Sequence, residues 1–235
     1  MAHRPLSSVP KSAVLLLVLG LGLQVAWHAR WPIANTAQGR LGAPPALASL
    51  RLSALGEPIA LSKLMMLYVQ AFDSQGGSVG FHSLDYGELT QWLTRVSDLD
   101  PKAQYPLLAA SHLYAEVPNE AHKRQMLDFV YTRFQLAPNL RWRALAHAIV
   151  VAKHELHDLP LALRFARALR EQATGAEVPH WARQMEVFVL EDMNEVESAK
   201  VLLGGLLQSG QITDPHEQRF LFERLKALSA KGKAP

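Results

Sequence analysis

The chain has 235 residues, of which 49% are hydrophobic and 19% are charged, with a formal net charge of +3 and no cysteine. This amount of apolar side chain offsets the conformational entropy lost on folding, so the composition excludes a chain that is disordered throughout. The lack of cysteine excludes disulfides, thiolate metal sites and cysteine nucleophiles. Lys and Arg are scattered among Asp and Glu, which argues against nucleic acid as a partner.

The N-terminal region contains a Leu-rich run, residues 13–26, without a charged residue. Trp27 and Trp31 follow it, where interfacial aromatic residues of a membrane protein lie, and no small-x-small cleavage site follows. We therefore predict a cytoplasmic tail over residues 1–11 and a transmembrane signal-anchor helix over residues 12–31. A cleaved signal peptide is the alternative, because the run is shorter than the roughly 20 residues of an average spanning helix.

Cations flanking this run predict its orientation. Arg4, Lys11 and the free amine precede the run, and Arg30 and Arg40 follow it. Since cations accumulate on the cytoplasmic side, we expect a single-pass protein of a bacterial inner membrane with a periplasmic C-terminal domain.

Residues 32–57 are interpreted as a linker. Pro32, Pro44 and Pro45 interrupt this segment, and chains that contain proline are extended and semi-stiff. A short helix is predicted within the linker, over residues 46–55.

The remainder, residues 58–230, is predicted to be one helical domain, followed by a disordered tail over residues 231–235. Apolar residues recur at spacings of three and four, which is typical of helices packed on one face. The fold class is therefore all-α. The predicted helices cover residues 59–72, 86–99, 104–116, 120–136, 141–156, 159–172, 181–193, 196–208 and 216–230.

These helices form pairs with a common period. The fourth residue after each start signal of a second helix is Leu89, Met126, Ala162 and Ala199, at separations of 37, 36 and 37 residues. A fixed period with two helices per unit is typical of a helical solenoid. We expect about four pairs, closed by the last helix as a cap.

Two segments have a more specific sequence pattern. Residues 155–163 read Glu-Leu-His-Asp-Leu-Pro-Leu-Ala-Leu, and residues 190–200 read Leu-Glu-Asp-Met-Asn-Glu-Val-Glu-Ser-Ala-Lys. Both resemble the turn and second helix of the tetratricopeptide repeat (TPR), where a Leu-Gly-Asp-like turn precedes a closely packed Ala. His157 and Asn194 stand in place of the turn glycine. The resemblance implies a TPR-like stack of helix hairpins after the N-terminal anchor.

In a TPR-like stack, polar residues of the first helix of each pair would line the concave surface. The partner-binding candidates on these helices are Tyr68, His112, His147, Lys153 and Gln184. In the long Gly-rich loop over residues 74–84, Phe81 is either a partner anchor or a side chain that folds back onto the first helix pair.

His154 is a further candidate, for a partner or for a metal. His154, His157 and Asp158 are close enough in sequence to chelate an ion, whereas His147 and His154 lie about 10 Å apart along a helix. The alternative is that these histidines are ordinary residues of a helix surface and a turn, and we expect no bound metal or cofactor.

Three arginines of one helix, Arg164, Arg167 and Arg170, have two interpretations. They either line an anion-binding groove or form a solvated face that is paired partly with Glu171.

No nucleophile elbow, paired-carboxylate cleft or dinucleotide motif is found, so we do not expect an enzyme. The function that the sequence favours is a membrane-anchored adaptor, which would assist the assembly or stability of an envelope protein complex through protein–protein contacts. The alternatives are a histidine-dependent metal-binding factor or enzyme, and a permanent structural subunit of a membrane complex.

Overall fold

The computed structural model describes residues 10–30, 41–73, 84–210 and 212–231. All regular secondary structure in these ranges is helical, which confirms the predicted all-α class. The chain divides into two compact units, Met1–Arg40 and Leu41–Pro235.

The described part of the first unit contains helix α1, Lys11–Arg30. Its Leu and Val side chains are exposed along its length. In the described part of the chain, no single helix is long and apolar enough to cross a membrane by itself. Lys11–Trp27 is a shorter apolar helix. Two consecutive helices, Leu47–Ser53 and Pro58–Phe72, reach the length and hydropathy of a membrane span only when they are taken together, and they are bent by 114°. The membrane anchor therefore stays a prediction.

The second unit consists of successive helices. Those described are α2 (Leu47–Ser53), α3 (Pro58–Asp73), α4 (Tyr86–Leu99), α5 (Tyr105–His112), α6 (Glu120–Leu136), α7 (Pro138–His154), α8 (Leu159–Gln172), α9 (His180–Asp192), α10 (Val196–Gln208) and α11 (Pro215–Lys231).

This unit begins inside the segment that the sequence predicts to be a linker. Leu41 and Leu50 are buried in the main core, and the indole N–H of Trp92 donates a hydrogen bond to the carbonyl of Gly42 at 2.6 Å. The second half of the predicted linker thus packs on the helical domain. Its prolines and glycines suggested a spacer, but its leucines supply side chains to the core.

The second helices of the predicted pairs, α4, α6, α8 and α10, begin and end at the predicted residues. The first helices differ more. α5 ends at His112 and is followed by a short 3-10 turn, Tyr114–Glu116, whereas α7 begins at Pro138, three residues before the predicted start. Proline suits this position because the first helical N–H has no partner within the helix.

Side-chain caps explain why three of these second helices start where they do. The Asp85 carboxylate accepts hydrogen bonds from the backbone N–H groups of Gly87 and Glu88, and Asp158 accepts one from Leu161. α6 is capped by Asn119, whose side-chain oxygen accepts a hydrogen bond from the backbone N–H of His122. Each cap satisfies an N–H group that has no partner within the helix.

The repeat positions lie in the core. Leu89, Met126, Ala162 and Ala199 each have 0% exposure and occupy α4, α6, α8 and α10. Most buried apolar residues, from Leu41 to Val189, form one continuous cluster, and a second cluster joins α9, α10 and α11.

Side-chain contacts also connect residues about one period apart. Thr90 on α4 contacts Gln125 on α6, 35 residues later, and Asp128 on α6 pairs with Arg164 on α8, 36 residues later. α6 therefore contacts both α4 and α8, the helices at the equivalent place in the preceding and following pairs.

The two turns that resemble the TPR turn have left-handed backbone. His157 has φ 50° and Asn194 has φ 61°. At the second turn, Asn194 N–H donates to Glu191 and Glu195 N–H donates to Leu190, which is the hydrogen-bond pattern of a Schellman C-cap. Glycine adopts this conformation without strain, so a turn glycine would be suited to both positions.

Candidate functional site

A groove crosses one face of α5, α7 and α9, the first helices of three successive predicted pairs. It has a volume of about 380 Å³ and combines aromatic, aliphatic and basic side chains. We call it the aromatic–histidine groove. Its lining residues are His112, Trp142, Arg143, Ala146, His147, Val150, Trp181 and Met185.

Two predicted candidates, His112 and His147, meet in this groove. Their imidazole rings stack, with centroids 3.5 Å apart and an interplanar angle of 16°. The Ser111 hydroxyl lies 2.9 Å from Nδ1 of His112. His112 belongs to α5 and His147 to α7, so the stack connects two helices that are not consecutive in the chain.

His147 is held in its neutral form more firmly than an ordinary histidine. Its pKa is lowered mainly because partial burial disfavours the charged ring, and repulsion from a charged His112 lowers it further. Glu155 and a hydrogen bond with the Ser111 backbone oppose these effects. A negatively charged group that entered the groove would favour the imidazolium and raise this pKa.

Aromatic side chains form the other side of the groove. Trp142 on α7 and Trp181 on α9 make an edge-to-face contact with ring centroids 5.5 Å apart. Trp142 is nearly buried, whereas Trp181 is 53% exposed and Val150 is also exposed. An exposed tryptophan beside a buried one offers a large apolar contact area of the kind found at the centre of protein interfaces.

The groove is basic. Arg143 is exposed, with its guanidinium carbon 4.6 Å from the centroid of the Trp142 ring, and no carboxylate is found among the described lining residues. The indole N–H of Trp142 and Nε2 of His147 are buried without a hydrogen-bond partner among the described residues. The groove therefore favours a ligand that brings an apolar group, a negative charge and a hydrogen-bond acceptor.

The other predicted candidates lie elsewhere. Tyr68 on α3 packs against Phe72 and Trp92, with ring centroids 5.0 Å away in each case. Phe81 lies outside the residues that the structure describes. The remaining three are placed as follows: Lys153 forms an ion pair with Asp192, His154 is exposed at the end of α7, and Gln184 is buried and donates a hydrogen bond to Glu217.

The predicted chelating carboxylate is engaged in structural contacts. Asp158 caps α8 through Leu161 N–H at 2.9 Å and pairs with Arg124 at 2.5 Å. These contacts, with the Arg124 hydrogen bond first, lower the pKa of Asp158. Within the described ranges, no group of three or more His, Asp or Glu side chains is placed to hold a metal ion. His154 and His157 thus have no complete ligand set there.

The three arginines of α8 form ion pairs with neighbouring helices. Arg164 contacts Asp128 at 3.0 Å, and both Arg167 and Arg170 contact the buried carboxylate of Glu186 on α9, at 3.2 and 2.6 Å. Arg170 also contacts Glu171 at 2.9 Å, the pairing that the sequence suggested. Of the two interpretations, the paired face describes this geometry better than the anion groove, and the buried Glu186 is a second carboxylate partner of this face.

Sequence reasoning missed Trp142, Arg143 and Trp181. A signal for them exists, because the two tryptophans lie near the beginnings of successive first helices, about one repeat period apart. This signal is weak, because tryptophan in an apolar helix is highly buried on average. Their different exposure becomes visible only when α7 and α9 are placed side by side.

The polar groups of the groove are two imidazoles, a guanidinium and an indole N–H. They can donate hydrogen bonds, and the guanidinium can pair with an anion. Comparisons with protein-family models, with curated proteins and with solved structures return no match for this chain.

Proposed function

We propose that this protein is a membrane-anchored TPR-like adaptor without catalytic activity. Its aromatic–histidine groove binds a segment of a partner protein in or near the bacterial inner membrane, and this binding assists the assembly or stability of an envelope complex. The observation that carries the proposal is the position of this groove on the first helices of three successive pairs.

Three observations support a solenoid of four pairs, α3–α4, α5–α6, α7–α8 and α9–α10. The four repeat positions are fully buried, contacts join equivalent helices one period apart, and the two TPR-like turns have left-handed backbone. α11 covers the last pair, with its Leu221 and Leu228 in the terminal cluster, as a capping helix does.

The composition of the groove supports a peptide ligand. Val150 and Trp181 provide exposed apolar contact area, and Arg143 provides positive charge. A segment that presents an apolar side chain beside Asp or Glu complements both properties. Stacked first helices provide a continuous surface along which an extended segment lies.

The anchor is supported by α1. This helix has 20 residues and is about 30 Å long, close to the thickness of the bilayer hydrocarbon core. Its apolar stretch is shorter than the helix itself, and Lys11 and Arg30 at its ends have side chains long enough to reach the headgroups. The flanking cations favour a cytoplasmic N-terminus and a periplasmic domain.

Site-specific photocrosslinking in native membranes tests the proposal. A photoreactive amino acid is placed at Val150 or Trp181 in the full-length chain, and the matched control carries it at Leu136, which is 67% exposed on α6. We expect the same protein adduct from both groove positions and none from the control. The absence of a protein adduct at both groove positions, or equal adducts at all three, contradicts the proposed site.

A further inference from the structure

A second surface, distinct from the groove, lies at the start of the helical unit. The end of α2, the α2–α3 turn and the outer side of α3 expose six large apolar side chains within 17 residues. These are Leu52, Leu55, Ile59, Leu64, Leu67 and Tyr68. We call this surface the α3 outer face. Soluble monomers rarely expose a contiguous apolar patch of this kind without a contact for it to make.

The face results from the helical period of α3. Ile59, Leu64 and Leu67 are exposed, whereas Met65 and Val69 are buried in the core. The buried side is fixed to α4, because the Ser62 hydroxyl donates a hydrogen bond to the Val96 carbonyl at 2.9 Å. α3 therefore cannot rotate to bury its outer residues without losing its inner contacts.

The charge on this surface is sparse. Lys63 lies among the exposed leucines, Arg51 is exposed on α2, and Glu57 is the one carboxylate among residues 47–72. A lysine within an apolar face is compatible with a bilayer surface, since its stem lies on the acyl chains while its ammonium reaches the phosphates. The outer face carries few groups for directional hydrogen bonds, which most protein interfaces contain and a contact with acyl chains does not need.

The chain also limits where this face lies if α1 is anchored. Sixteen residues separate the end of α1 at Arg30 from the start of α2 at Leu47. Even when fully extended, they span at most about 55 Å, so the face is kept at high effective concentration near the membrane.

We propose that the α3 outer face lies on the surface of the same bilayer in which α1 is anchored, with Leu64 and Leu67 among the lipid acyl chains and Lys63 at the headgroups. The proposal rests on the anchor in the proposed function. It makes α3 an interfacial helix that does not span the membrane, because its other side is held in the protein core.

The absence of cysteine makes the test direct, because a single introduced thiol takes a spin label at a defined site. Leu67→Cys is labelled in the full-length chain, which is reconstituted into vesicles of phosphatidylethanolamine and phosphatidylglycerol. The matched control is Leu136→Cys, a leucine on α6 with comparable exposure. Collision rates with oxygen, which concentrates in lipid, and with a water-soluble nickel chelate are then measured by electron paramagnetic resonance.

We expect the label at residue 67 to collide at least threefold more often with oxygen than the label at residue 136, and correspondingly less with the nickel chelate. Ile59→Cys, on the same face, should agree with residue 67. Equal accessibility at residues 67 and 136 overturns the proposal. Protection of residue 67 from both reagents also overturns it, since a protein segment or a second copy would then cover the face.

Flotation of the vesicles separates this proposal from the anchor. If the chain floats with the vesicles and residue 67 is in water, the surface contact is wrong and the anchor stands. If the full-length chain does not float, the anchor is wrong and the inference that rests on it is removed as well.

Discussion

Replacing His157 by glycine tests the left-handed turn between α7 and α8. His157 is exposed and has φ 50°, a conformation that costs a residue with a side chain about 1–2 kcal/mol. Glycine removes this cost but loses about 0.5–1 kcal/mol more conformational entropy on folding. We therefore expect His157→Gly to raise the free energy of unfolding by about 0.5–1 kcal/mol.

The matched control is His154→Gly, three residues earlier. His154 is also exposed but has helical backbone at the end of α7, so glycine there should lower the free energy of unfolding by about 0.5–1 kcal/mol. Urea unfolding of the full-length chain in a mild detergent, followed by far-ultraviolet circular dichroism, measures both. Asn194→Gly should stabilise less than His157→Gly, because asparagine tolerates left-handed backbone better than histidine does.

The two histidine variants should thus differ in sign. If His157→Gly lowers the urea midpoint as much as His154→Gly does, the backbone at residue 157 is not left-handed. The resemblance of this segment to the TPR turn would then lose its structural support.

Three further predictions concern the core and the groove. Glu186→Gln should lower the free energy of unfolding by about 1–3 kcal/mol, because the amide cannot replace a buried carboxylate between Arg167 and Arg170. An unchanged midpoint in a urea titration contradicts this pairing. Ala162→Leu should lower the free energy of unfolding by about 1–3 kcal/mol, because the fully buried Ala162 has no room for a larger side chain. Thermal unfolding measures this, and a rise in the melting temperature contradicts the close helix packing. The pKa of His147 is lowered in the folded chain, so below about pH 6.5 the unfolded chain takes up the proton first, and the free energy of unfolding falls until the pH passes the folded pKa. His147→Gln should therefore reduce the difference between the urea midpoints at pH 7.5 and pH 5.5. An equal difference in the two proteins contradicts this role of His147.

The pattern of apolar residues predicts that the second unit is helical and gives the bounds of its second helices, whereas the first helices differ more. α4, α6, α8 and α10 are capped or follow an obvious turn, and their ends agree with the sequence pattern because capping is a local interaction. Leu41 and Leu50 were not predicted as core residues. Whether a leucine in a proline-rich segment is buried depends on the surface that it meets, which here belongs to α4 and its neighbours.

Two of the predicted partner-binding candidates, His112 and His147, stack their rings in the groove. Of the others, Gln184 is buried and Lys153 is paired with Asp192. A helix has several polar positions, and the sequence does not set which of them faces the neighbouring first helix. The same holds for Trp181, which is exposed while its ring lies against the buried Trp142 of α7.

The central claim, that the aromatic–histidine groove binds a protein partner, is tested most directly by co-purification. The full-length chain and its Trp181→Ala variant are isolated in mild detergent from the same cells, and their associated proteins are quantified by mass spectrometry. Loss of an exposed tryptophan at the centre of an interface costs about 2 kcal/mol, so we expect a specific partner whose recovery falls about thirtyfold with the variant. A set of associated proteins that is the same for both chains contradicts the claim.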